Sequence, residues 1–459
     1  MEVKKPDYKV SVALSSQTNN SILLLLILIF VLFFSSCKKD NNGENNNYTG
    51  FIYTSTNSSN MNGIIAMGKN SDGSVTEIPG SPFSTGHAGD AGEGDFDTQW
   101  ALRIVGDYLL AVNAGGNIDN SSVSVFKINR GNGSLSQVDQ NPATPAMDNI
   151  DSRGIRATSI AAKDIGGNTW IVVGNQHSNP NFQFPTGSGF GSVATSPLRN
   201  LAVFTFNKSS GILEFKSIGA TYMDGNNGGP TTVEFNSTGS KIAVSTWGVP
   251  HFMTPEPDLT KQKPGRLYIY NFSAGNLSQT GLYEEVGVSG NIGLSWSPND
   301  QFIYLTNFNI HSSKEANSVT VHDGSSAAKV QNFATGGRND ESCWTWVSLD
   351  KTKLFAVSFG ENIVSVFDIG SDGKLVKSLT PNFFARRGGL PTGDSKDMHQ
   401  SADGYLHVVG AFQSHTIGTF KIAANGSLTE ITGSPYVIPS SVGKTKDQHA
   451  FLGLTGFDK

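Results

Sequence analysis

The run "GHAGDAGEGDFD" gathers Asp90, Glu93, Asp95 and Asp97 in a glycine-rich loop. Carboxylates at that density could supply the oxygen ligands that calcium requires, although their spacing is not that of an EF-hand loop. Two long loops carry the next candidates. "NQHSNPNFQFPTGSGFGSVATSPLRN" holds His177, and "TWGVPHFMTPEPDLTKQKPG" holds Trp247 and His251, each among aromatics and prolines. Long loops on a rigid scaffold are where binding walls and lids are built. Arg386 and Arg387 in "FFARRGG" could hold an anion, and an exposed basic turn is the plainer reading. Cys343 has no second cysteine for redox and no nucleophile motif around it, which suits a small packed side chain. The histidines lack paired metal-ligand spacing, and neither a G-x-S-x-G elbow nor the phosphate-binding G-x-x-x-x-G-K-[ST] loop occurs.

The elements that must position these residues announce themselves by repetition. "GSVTEIPGSPF", from Gly73 to Phe83, returns almost unchanged as "GSLTEITGSPY", from Gly426 to Tyr436. Of the 459 residues 52 are glycine, and only 15% are charged, a balance that suits short strands joined by tight turns. Period-2 alternation recurs and long 3.6-residue periodicity does not, so the chain reads as all-β. A strand, a polar turn, two further strands and a Gly-x-Leu turn into a fourth strand form one unit. Its turn glycines are Gly73, Gly133, Gly211, Gly275, Gly373 and Gly426, and the wide gap leaves room for a degenerate copy near Gly324. Four strands per roughly 50 residues is the period of a propeller blade. Seven units are expected, at about 50–82, 98–140, 153–218, 230–280, 291–334, 343–380 and 393–432. The first lacks its innermost strand, while "DQHAFLGLTGF" at the C-terminus is a strand left over. Pairing the two closes the ring and removes its free edges. The twin segments then become the outer regions of blades one and seven.

Ahead of the blades, Lys4, Lys5 and Lys9 precede thirteen apolar residues, Ile22 to Phe34, and then Ser35-Ser36-Cys37. That run suits a signal-peptide core and is short for a membrane span. Small residues before the cysteine resemble a lipoprotein cleavage site, with Cys37 as the lipidated residue. The expected organisation is a leader over 1–36, an Asn-rich disordered tether over 37–49 and a propeller over 50–459. The place expected is the outer membrane, on its periplasmic or outer surface, with membrane contact only through the lipid. A formal charge of -5 and the lack of a basic tract beyond the N-terminus give no reason to expect nucleic acid.

The grammar of "WSPNDQFIYLTN" and "IVSVFDIGSDGKL" resembles the seven-bladed lactonase-like β-propellers, over roughly residues 50–457. That group takes in 6-phosphogluconolactonases of the cycloisomerase type and muconate cycloisomerase propellers. The resemblance implies a site at one mouth of the central channel, where a histidine, a glutamate and two arginines act on a small carboxylated lactone. Arginines would hold carboxylates and a developing oxyanion while an acid or base moves a proton. The family's Pro-His step is missing, because blade four reads Gly229-Pro230-Thr231. His449 and His399 are the substitutes, with Arg153 and Arg156 as anion clamps and Glu234 as the carboxylate. Arg103, His177, Trp247, His251 and Trp344 are expected to line the ligand site. The expectation is therefore a monomeric lactonase or cycloisomerase without a resident metal, or a non-catalytic propeller that binds a glycan, metabolite or protein on the same face. The first requires histidine, arginine and carboxylate to converge; the second requires amides and aromatics, with the arginines paired off.

Overall fold

The computed structural model describes residues 47–90, 98–115, 121–177, 196–223, 228–248, 252–253, 256–260, 262–314, 318–335, 340–383 and 393–459. The expected leader, Cys37 and most of the tether lie outside these residues. So do His251, Arg386, Arg387 and, of the acidic loop, everything after Asp90.

From Tyr48 onward the chain forms seven four-stranded antiparallel blades, and blades two to seven pair their strands in chain order from the channel outward. The innermost strands of blades two to seven are Leu102–Val105, Ala157–Ile165, Pro230–Phe235, Val288–Trp296, Ser342–Val347 and Ser395–Gln400. Blade one takes its innermost strand from the C-terminus: Leu452–Asp458 pairs antiparallel with Gly50–Ser55. That closing strand packs against the innermost strands of blades seven and two, so the ring has no open edge there.

The near-continuous apolar runs follow from burial on both faces. Leu110 and Val112 pack with Ile160, Ile171 and Val173 of blade three. Leu109 and Ala111, one step along the same strand, pack with Phe51 and Tyr53 of blade one. Period-2 geometry sends alternate residues to opposite neighbours, and every blade needs both sets apolar.

The repeated glycines have a single geometric role. A long side chain from the second strand of one blade lies across the outer turn of the next. Tyr53 donates to the carbonyl of Gly133 at 3.0 Å, and Tyr304 to that of Gly373 at 2.6 Å. Lys241 reaches the carbonyl of Gly324 at 2.8 Å. A Cβ on Gly133 would sit 2.2 Å from the Phe51 ring, and one on Gly73 would sit 2.5 Å from Tyr405. Both also have φ near +80°, at 76° and 84°, so conformation and space each demand glycine. In the degenerate copy the turn-glycine position is held by Ala327, with φ of 64° and its amide on the Asp323 carbonyl at 2.9 Å, so the turn keeps its shape without the glycine signature.

The twin segments are neighbours across the closure. Val75–Glu77 and Leu428–Glu430 are the outermost strands of blades one and seven, and each is followed by a cis Ser-Pro bond. The Tyr436 hydroxyl accepts the Glu77 amide at 3.0 Å.

Candidate functional site

The lead-in to each innermost strand and the connection from second to third strand meet at one end of the channel, here called upper. The Gln176 amide bonds the Arg156 carbonyl at 2.9 Å, Gly290 bonds Trp247 at 2.7 Å, and Phe359 bonds Glu341 at 2.8 Å. All three bonds join those two kinds of segment.

The channel does not run through. Residues Thr98 to Trp100, leading into blade two, cross its axis and are held by four other blades. The Thr98 hydroxyl bonds the Thr158 carbonyl of blade three at 3.0 Å and reaches the Thr231 carbonyl of blade four. Gln99 donates its amide to the Thr345 carbonyl of blade six at 2.6 Å and lies against Gly293 of blade five. The Trp344 indole donates to the Thr98 carbonyl at 2.7 Å, so this fully buried tryptophan secures the plug. Upper and lower ends are therefore separate places.

At the upper end of blade three, histidine, two arginines and a carboxylate converge. His177 follows the strand Asn168–Asn175 and is pinned by its amide to the Ile155 carbonyl at 2.8 Å. Arg156 ends the lead-in of the same blade, and Arg199 begins its third strand, bonding Tyr222 through its carbonyl at 2.9 Å. Asp90, arriving from the acidic loop, pairs with Arg156 at 2.5 Å with both side chains buried. Burial first, and then the charges of Arg199 and Arg156, hold the His177 imidazole below its usual pKa and so neutral. Its Nδ1 is buried and unpartnered among the described residues. Arg153, Arg156 and His177 all have φ between 57° and 71°, a strained region that non-glycine residues rarely occupy. Such strain concentrates where function over-determines the backbone.

A row of amides extends from this cluster over blades four and five. Gln176 and Asn291 are completely buried, and among the described residues neither side-chain amide has a partner on its nitrogen or its oxygen. The Trp247 indole N–H also lacks a partner among the described residues, its ring packed 5.3 Å from Phe308. Native interiors rarely leave such groups unpaired, which marks this wall as a candidate for binding.

The remaining expected residues sit elsewhere. Arg153 is on the exposed rim, 3.7 Å from Asp151, with its guanidinium 4.9 Å from the Phe215 ring centre. His449 is at the upper end of the closure, where Nδ1 meets the Ser441 hydroxyl at 2.9 Å and its carbonyl meets His415 at 2.9 Å. Burial and the neighbouring His415 pull its pKa down to about 4. Arg103, Glu234 and His399 occupy the lower end, because each lies in the last few residues before a lower hairpin turn. Arg103 pairs with Glu234 and stacks 3.8 Å over Trp100. His399 stands edge-on to Trp346 at 5.5 Å, and burial lowers its pKa to about 4. The expected set is thus split three ways: Arg156 and His177 meet at the upper end with Trp247 in the adjoining wall, while Arg103 pairs with Glu234 at the lower end.

Arg199, Asp90 as a partner of arginine and Gln176 were not read from the sequence. Arg199 stands at the far end of the long blade-three loop, and no local pattern links it to His177. The one available signal was that both ends of that loop must lie side by side on adjacent strands. Among the described residues no group of three or more His, Cys, Asp or Glu is placed to hold a metal.

No family model and no curated protein matches the chain. Solved structures do. A protein from Bacteroides fragilis, named as a proposed 6-phosphogluconolactonase, superposes with TM-score 0.58 at 16% identity, covering 89% of this chain and 98% of its own. A protein from Lactobacillus plantarum gives 0.60 at 13%, covering 89% and 99%. The periplasmic gluconolactonase of Pseudomonas aeruginosa gives 0.56 at 15%, covering 84% and 97%. The chain has the fold of these lactonase-like propellers.

Proposed function

We propose that the protein opens a small anionic lactone at the upper mouth, over blade three. The observation that carries this reading is the neutral His177, its Nδ1 without a partner among the described residues, beside Arg156 and Arg199. Water attacks the lactone carbonyl while Nδ1 of His177, in the tautomer protonated on Nε2, takes its proton. Arg156 and Arg199 hold a carboxylate or phosphate of the substrate and steady the tetrahedral oxyanion. The ring C–O bond then breaks, the proton passes to the departing ring oxygen, and a hydroxy acid leaves. Gln176, Asn291 and Trp247 orient the ring by bonding its hydroxyl and carbonyl groups. The names of the neighbours from Bacteroides fragilis and Pseudomonas aeruginosa support this reaction class. A lipid on Cys37 would hold the monomeric propeller at the envelope, facing periplasm or exterior, with no metal in the chemistry.

A second reading keeps the same wall without the reaction. The amide row alone could hold a glycan or metabolite, and two fully unpaired amides favour recognition of a neutral polar ring. The deciding experiment is base consumption by the full chain with 6-phosphogluconolactone, carboxylated muconolactones and uncharged lactones. Saturable opening, faster with the anionic lactones, supports the reaction. Rates no higher than spontaneous hydrolysis across the panel leave the binding reading.

A further inference from the structure

The lower end of the plugged channel carries its own pocket, which the lactone reading does not use. It measures about 200 Å³ and is lined by Trp100, Glu234, Phe235, Ser295, Trp296 and Trp346, with Val347 at its edge. Trp100 and Trp346 face one another with ring centres 5.4 Å apart, tilted by 47°. Their indole nitrogens are buried and have no partner among the described residues, whereas the Trp296 indole donates to the Glu234 carbonyl at 3.1 Å. Glu234 is the pocket's acceptor, and Arg103 fixes its carboxylate while stacking on Trp100. A second carboxylate, Asp397, lies behind them, accepting backbone amides of Met398, Trp100 and Leu454; burial pushes its pKa up to about 7.

We propose that this pocket binds a single pyranose-type sugar ring. Its size is below the roughly 300–1,000 Å³ that holds drug-sized ligands, and fits one small ring. Indole faces are negative and attract the electropositive C–H face of a sugar. The two open indole N–H groups donate to hydroxyl oxygens, and the Glu234 carboxylate accepts from hydroxyl hydrogens. An organic cation is disfavoured because the Arg103 guanidinium already occupies the face of Trp100. A phosphate is disfavoured by the Glu234 charge. The plug keeps this ligand from reaching the upper mouth, so it is a second site and not a route to the first.

Calorimetric titration tests it, using the full chain in a detergent without sugar headgroups and a panel of glucose, galactose, mannose and N-acetylglucosamine. The expected result is saturable heat from at least one sugar with Kd on the order of 1 mM. Trp346→Phe keeps a ring against Trp100 and His399 but removes one N–H, and binding should weaken about fivefold, the worth of one hydrogen bond. Glu234→Gln should weaken it further, and His177→Ala should leave it unchanged. The thermal midpoint of each variant reports whether it still folds. No saturable heat to about 10 mM with any of the four sugars overturns the proposal. So does binding lost in His177→Ala and retained in Trp346→Phe, which would place the sugar at the upper mouth.

Discussion

His177 differs from the other buried histidines in what surrounds it. His322 is satisfied on both nitrogens, by the Ala327 carbonyl at 2.9 Å and the Thr320 hydroxyl at 2.8 Å, and His449 Nδ1 is spent on Ser441. His177 has no partner on Nδ1 among the described residues, and burial, helped by Arg199 and Arg156, lowers its pKa. A base of this kind works until it is protonated, so kcat/KM for a lactone should fall in acid with an apparent pKa below the usual histidine value of about 6.5. A midpoint at or above that value in the pH–rate profile would point to a different group. Arg156 is fixed by Asp90 with both nearly sealed from water. Arg156→Met should therefore cost about 3 kcal/mol of stability as well as raising KM, because it takes the cation from a buried carboxylate. Denaturant unfolding of that variant checks the first part and steady-state kinetics the second. The residue scale was also the least legible in the sequence. Arginines and histidines were chosen from lead-in segments by type. Whether each sits at the upper or the lower end depends on how far along its strand it falls, and for that reason Arg103, Glu234 and His399 turned out to belong to the opposite end.

The elements were legible because their signals are local. Period-2 alternation, the turn glycines and the orphan C-terminal strand each follow from contacts that every blade repeats. Gly133→Ala meets both the positive φ and the Phe51 ring, whereas Gly433 has φ of 86° with nothing within 4 Å of a Cβ. Gly433→Ala should cost only the conformational term of about 1 kcal/mol, and Gly133→Ala clearly more, on the order of 3 kcal/mol. Equal thermal midpoints for the two variants would refute the turn-contact account. The closure has its own fastening. Lys69, with 2% of its side chain exposed, pairs with Asp403 of blade seven and with Asp458 of the closing strand, the latter at 2.9 Å. Both aspartates are partly solvated, so Lys69→Met should cost about 1–3 kcal/mol. Truncation before Leu452 should be far worse, because it opens the ring.

Across the whole molecule, buried imidazoles set the response to acid. His322, His399 and His449 have pKa values lowered to about 4 by burial, against about 6.5 unfolded. Between those values the folded chain binds fewer protons than the unfolded one, so stability rises with pH from about 4 to 6.5 and is lost on acidification. Asp397 opposes this, since its pKa raised to about 7 lets the folded state hold a proton that the unfolded carboxyl releases. Burial lowers His177 and His407 as well, so five imidazoles against one carboxyl leave the histidine sign in control. Unfolding midpoints that fail to drop from pH 6.5 to 4 would contradict that balance. The same whole-molecule arrangement separates two chemistries: a plug of three residues divides an upper, arginine-flanked histidine from a lower tryptophan pocket. The central claim concerns the upper one. Its most direct test is the initial rate of anionic lactone opening at pH 7 by the wild-type chain and by His177→Ala, with His449→Ala as the control. The account predicts a loss of at least about 100-fold in His177→Ala, the usual worth of a positioned base, and an unchanged rate in His449→Ala. Equal rates in wild type and His177→Ala, or a collapse confined to His449→Ala, would contradict it.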